Sequence, residues 1–212
     1  MKKIVTILLA CFLSFFLSGC LTTLYPIFHE RDAIFNEKLL GYWKCTDKEN
    51  NISFIEFKKI PEDRKSELFP GIRKISDKGY LVSRMDSTRQ ITDQDFVFLA
   101  KIGKYYYLDF YGAEMPSQRN VNKFFKNHYI KVHSSYRCDI EDNDHFVMKR
   151  FDKGFLDKLI SDNKINIRHE VVGGENLITA STEDLQKFII TYSDNAAAFG
   201  DNIAHCSRII DY

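Results

Sequence analysis

Two β-prone runs limit what this chain can fold into. Residues 96–102 (FVFLAKI) and 105–111 (YYYLDFY) are separated only by Gly103-Lys104. A two-residue link beginning with glycine suits a type II′ turn, whose twist matches that of paired strands. Both runs are apolar on both faces, so the hairpin needs cover on two sides and belongs inside a sheet. One face fills a core. The other meets packed helices, a partner or lipid, or it lines an apolar cavity in a small barrel. In the cavity case Phe96, Phe98, Tyr105 and Tyr107 are the ligand-lining candidates.

The β pattern continues on either side. Ile52–Lys59 sets Ile55 and Phe57 against Glu56 and Lys58, and Gly79–Met85 is a short strand. Residues 128–133 and 136–140 read as one long strand with a kink at Ser134-Ser135. The turn Asp142-Asn143-Asp144 pairs it with 145–151. Residues 166–172 end at Gly173-Gly174, 177–180 are extended, and 205–211 supply a last strand. Residues 61–78 read as a charged loop. Two helices are predicted. Asp152 caps Lys153–Ser161, with Phe155, Leu156, Leu159 and Ile160 on one face. Ser181 and Asp184 form a capping-box variant before 183–193, where Leu185, Phe188, Ile189 and Tyr192 keep helical spacing. The expectation is a mainly β domain over 39–212, an antiparallel barrel or strongly curved sheet with two helices packed on it.

The N-terminus follows a different logic. Lys2 and Lys3 precede an apolar stretch from Ile4 to Leu17, then small residues and a cysteine. This is the layout of a secretory signal, and the stretch is shorter than the ~20 residues of a spanning helix. Leu17-Ser18-Gly19-Cys20 resembles the lipobox of bacterial lipoproteins. The resemblance implies removal of 1–19 and lipid attachment at Cys20. Residues 20–38 then read as the lipidated cysteine and a tether with a short entry segment, and Phe28, Ile34 and Phe35 are too apolar for a free linker, so this stretch is expected to lie against the body. Leu21 in place of aspartate implies the outer membrane, facing the periplasm. Losing nineteen of 212 residues leaves 193, and losing Lys2 and Lys3 leaves 28 basic against 29 acidic side chains. Cys45, Cys138 and Cys206 then remain in an oxidising compartment. They allow one internal disulfide and a free thiol, or three buried thiols.

Gly41-Tyr42-Trp43 resembles the G-x-W signature of lipocalin-like barrels. The resemblance implies that Trp43 plugs a closed end and that Arg208, from a late strand, stacks on it. The order of lipobox, Tyr25-Pro26, Leu40-Gly41-Tyr42-Trp43, Tyr107-Leu108-Asp109, Asn127-His128 through His133, and Leu177–Thr182 before Leu185-Gln186 and Phe188 is similar to a family of uncharacterised bacterial lipoproteins. That likeness implies fold and location, not chemistry.

A net charge of +1 gives no basis for nucleic-acid binding. His128 and His133 fall on opposite faces of a regular strand, and no CxxC, HxH, HExxH or GxSxG spacing occurs. His133 beside Ser134-Ser135 is not a triad. No catalytic residue, metal or cofactor is expected. The expected partners are a membrane, through Cys20, and either a small apolar ligand such as a lipid or another envelope protein.

Overall fold

The computed structural model describes residues 21–113, 130–199 and 203–210. Two short strands, β1 (Leu21–Thr23) and β2 (Ala33–Ile34), precede β3 (Gly41–Asp47), β4 (Ile52–Lys59), β5 (Gly79–Met85), β6 (Ile91–Ile102), β7 (Tyr105–Gly112), β8 (His133–Ile140) and β9 (His145–Arg150). Each strand from β4 to β9 pairs antiparallel with the one before it. The hairpin β10 (His169–Val172) and β11 (Glu175–Ile178) lies outside this run, and β12 (Ile203–Arg208) pairs with both β9 and β3. The result is a closed, eight-stranded antiparallel barrel, β3 to β9 plus β12, with lipocalin-like up-and-down order.

The central hairpin is as expected. Phe96 to Ile102 pair with Tyr111 to Tyr105, and Gly103 has φ +59° while Lys104 does not turn positive. Because side chains alternate along a strand, the ring has two faces. All eight strands contribute to one buried cluster, which is therefore the lumen: Trp43, Cys45, Ile55, Phe57, Tyr80, Val82, Val97, Leu99, Leu108, Cys138, Phe146 and Cys206. Cys45 faces Cys206 across β3 and β12, and the two form a disulfide within the lumen. Cys138 remains a buried free thiol, and burial pushes its pKa up, so it is not poised as a nucleophile.

The second core lies outside the barrel. Phe96, Phe98, Ala100, Ile102, Tyr107 and Tyr111 project from β6 and β7 into it. They are covered by four helices, α1 (Pro70–Arg73), α2 (Lys153–Ser161), α3 (Thr182–Tyr192) and α4 (Ala196–Phe199), and by the entry segment. The two longer helices start where the sequence indicates. Asp152 accepts from the Phe155 N–H at 2.7 Å, and the Ser181 Oγ accepts from the Asp184 N–H at 3.3 Å.

Residues 21–38 lie against the body, as their apolar side chains indicate: Leu21, Ile27, Phe28 and Ala33 are buried. They dock because polar groups of α3 and β7 seize their backbone. Asp109 accepts from the Ile27 N–H at 3.1 Å, Thr182 donates to the Pro26 carbonyl at 2.9 Å, and Gln186 donates to the Ile27 carbonyl at 3.1 Å. Two expectations change. Residues 61–78 are not a plain loop. Two 3-10 turns, Glu62–Glu67 and Ser76–Lys78, flank α1, and the segment buries Leu68, Ile72 and Ile75 on the outer core. Ser134-Ser135 is not a kink. Both residues stay in register, with Phe110 and Asp109 as partners, because Asp109 accepts the Ser135 hydroxyl at 3.3 Å. Cys20 and His128 lie outside the described residues.

Candidate functional site at the charged end of the barrel

The barrel has two unlike ends. At one, a 3-10 turn (Glu37–Leu39) leads into β3 and brings Leu39 over the lumen. Trp43 is 1% exposed and donates from Nε1 to the Leu39 carbonyl at 2.9 Å. It packs edge-on against Phe146 at 4.6 Å. The Arg208 guanidinium lies 4.3 Å from the Trp43 ring and donates to the carbonyls of Lys38, Leu40 and Asn143. Gly41 is needed here twice over. Its φ is +113°, and a Cβ would stand 2.9 Å from Arg208 Nη1. This end is sealed.

The other end carries charge. Arg84 and Asp95 belong to the lumen-facing register of β5 and β6, opposite Ile55 and Val82. The Arg84 guanidinium bridges Asp93 and Asp95, 2.7 Å from Asp95. Burial works against the Arg84 charge, but Asp95 and Asp93 outweigh it and hold its pKa above the ordinary value. Burial pushes the Asp95 carboxyl up, and Arg84 pulls it back only in part. Asp95 is 13% exposed, whereas Arg84 at 42% and Asp93 at 50% reach solvent. Tyr136, stacked edge-on against Phe110 at 5.3 Å, faces Arg150 across β8 and β9 on the same side of the ring.

The rim is built from two copies of one turn. Asp47 accepts from the N–H groups of Glu49 and Asn51 at 2.8 and 2.9 Å, and Asp86 from those of Thr88 and Gln90 at 2.8 and 3.0 Å. Asn50 and Arg89 take the left-handed position, with φ of 63° and 64°. These side-chain-locked turns present Ile52 (54% exposed) and Ile91 (56%) beside the mouth. Among the described residues the mouth thus combines one cation and two carboxylates with apolar rim residues on rigid backbone. It suits polar recognition with an apolar border.

Replacing Arg84 by leucine should make this electrostatics visible. Asp95 would keep its burial and lose its cation, at a cost of about 1–3 kcal/mol at neutral pH. Its pKa would rise further. The deficit relative to the wild type should therefore be largest above the carboxylate range and shrink as acid protonates Asp95. Urea melts of both proteins across pH check the sign.

The ligand-lining candidates lie elsewhere. Phe96, Phe98 and Tyr107 are at most 2% exposed within the outer core, so they line no opening of the barrel. Tyr105 is partly buried. It stacks on Arg137 at 4.3 Å and donates its hydroxyl to Asp194 at 2.6 Å. They face outward because the β6–β7 register puts Val97, Leu99 and Leu108 inside. His133 is 2% exposed on the same outer face, with its Nδ1 2.5 Å from Asp109 Oδ1. Ser135 touches the Asp109 carboxylate rather than the imidazole, so the three groups are not in nucleophile–base order. They fasten the entry segment. A shallow cavity of about 450 Å³ beside α2 is lined by Asp152, Phe155, Lys158, Leu159 and Lys164.

Arg84 and Asp95 went unnoticed in the sequence. Their signal is a charge at a position where the alternation of β5 and β6 demands an inward side chain. No family model, curated protein or solved structure matches this chain.

Proposed function

We propose that this chain is a lipid-anchored protein of the bacterial cell envelope whose barrel is a non-catalytic, partner-binding accessory. One observation carries the choice between a partner and a small apolar ligand. Both apolar cores are filled by the chain's own side chains: Trp43, Phe57, Tyr80 and Phe146 in the lumen, and Phe96, Phe98 and Tyr107 outside it. On the barrel itself, Arg84, Asp93, Ile52 and Ile91 at the mouth are exposed. Protein interfaces combine apolar contacts with charged and hydrogen-bonding groups, and this end supplies both, the charges at its centre and the isoleucines at its border.

Location rests on the N-terminal residues. Cys20→Ser should abolish metabolic labelling with fatty acid and release the protein from the membrane fraction. A variant that stays labelled and membrane-bound overturns the anchor. For the barrel, a photo-crosslinking residue at Ile52 or Ile91 should give a defined hetero-adduct in cells, and mass spectrometry of the native protein should find no stoichiometric lipid. A monomer-only result together with a co-purifying lipid reverses the reading in favour of a small apolar ligand.

A further inference from the structure

Three strands extend the sheet away from the ring. β1 pairs with β8, β11 with β1, and β10 with β11, so β10 is the last strand of a flap. Its final residues, Val171 and Val172, are 68% and 58% exposed. They are neighbours, so they point to opposite faces of the strand, and neither face is covered. Gly173 and Gly174, with φ of +61° and +85°, close the hairpin tightly, with Val172 opposite Glu175. The tip is held beside α2 by polar contacts on the strand opposite the valines. Asn176 donates to Asp157 at 2.6 Å, and Lys153 pairs with Glu175 at 3.1 Å. The backbones of Val171 and Val172 pair with Asn176 and Glu175, and their side chains are left to the solvent.

The register says where the tip points. β11 runs parallel to β1, with Ile178 beside Thr23 and the Leu24 N–H donating to the Ile178 carbonyl at 2.8 Å. Counting back along the pair, Asn176 comes level with Leu21. The Gly173-Gly174 turn then lies two to three residues beyond, ~7–10 Å at ~3.3 Å per residue. That is the side from which the chain enters β1. What precedes Leu21 in the sequence is the apolar stretch that ends in Cys20.

We propose that the Val171–Val172 tip is a second membrane contact, seated in the interfacial layer of the bilayer that holds the N-terminal anchor. This rests on the proposed anchor. End-on insertion is the geometry that covers both valines at once, whereas a partner strand added along β10 leaves at least one side chain in water. Glu175 is already paired with Lys153, so insertion does not call on anionic lipid. One lipidated residue leaves the barrel free to swivel. Two contacts fix which way the mouth faces.

The test uses the full-length, lipidated protein reconstituted into phosphatidylcholine vesicles with brominated acyl chains. Val172→Trp and, separately, Val171→Trp add one indole to a chain whose own Trp43 is buried in the sealed end. Ile52→Trp is the control, because β4 lies four strands from β8 in either direction around the ring. The indole added at position 171 or 172 should lose roughly half or more of its emission, as an interfacial segment sits ~5–10 Å into the headgroup and acyl boundary. The control should lose none. Vesicle-bound protein with all three indoles unquenched overturns the tip contact and leaves the anchor standing. Equal quenching of the control also overturns it. Protein that fails to float with the vesicles removes the anchor reading and the tip contact together. In the Val172→Trp variant, concentration-dependent burial of the added indole without lipid quenching assigns the edge to a second copy and overturns the proposal.

Discussion

Replacing Cys45 and Cys206 together by serine should lower the unfolding free energy by roughly 2–5 kcal/mol, one of the largest losses any change to this chain should produce. The two cysteines are 161 positions apart, and cross-linking a loop of that length removes much of the freedom of the unfolded chain. The bond also ties β12 to β3, the seam at which the ring closes. Both sulfurs are buried in the lumen, so the serines would bring two hydroxyls into an apolar core. Denaturant melts of the oxidised wild type, the reduced wild type and the double variant check this. The reduced wild type should fall between the other two, having lost the cross-link without gaining the hydroxyls. A double variant as stable as the oxidised protein would mean that the seam holds through its ladder hydrogen bonds alone.

Trp43→Ala should cost about 3–5 kcal/mol, the usual range for emptying a buried aromatic site. The cavity would lie among Phe146, Leu39 and Arg208, and the Leu39 carbonyl would lose its donor. Arg208→Ala should cost less, about 1–2 kcal/mol, since the cation–π contact is modest and the carbonyls it frees lie near water. The double variant should fall short of the sum, because once the ring is gone the guanidinium has lost that partner. Thermal melts of the three variants measure the coupling. Additive losses would show that Arg208 acts only through the carbonyls it gathers.

Much of this fold is legible in the sequence, for identifiable reasons. The β6–β7 hairpin is local, and turn chemistry together with two apolar faces leaves few alternatives. The caps Asp152 and Ser181 are equally local. What the residues leave open is which face of that hairpin is inside and which one the helices cover. Both faces of 96–102 are apolar, and a period of two cannot say which one meets the lumen. Phe96, Phe98 and Tyr107 are the bulkier set, yet Val97, Leu99 and Leu108 fill the barrel, because its volume is already taken by Trp43, Phe57, Tyr80 and Phe146. That residues 21–38 dock is legible in Phe28, Ile34 and Phe35, but the groups that hold them, Asp109, Thr182 and Gln186, stand from 82 to 159 positions away along the chain, and spacing carries no trace of them. Arg84 and Asp95 could have been found as charges out of phase with their strands.

The seam between β3 and β12 also has a consequence in time. The partner of the first barrel strand is the last one to leave the ribosome, and until it arrives β3 and β9 are bare edges open to wrong pairings. Folding must therefore await nearly the whole chain and closes over a long sequence distance, which makes it slow. Under the proposed export, which passes the chain through a membrane unfolded, that delay is useful. The barrel would not lock while β12 is still on the near side, so the chain would stay threadable until transit is almost over.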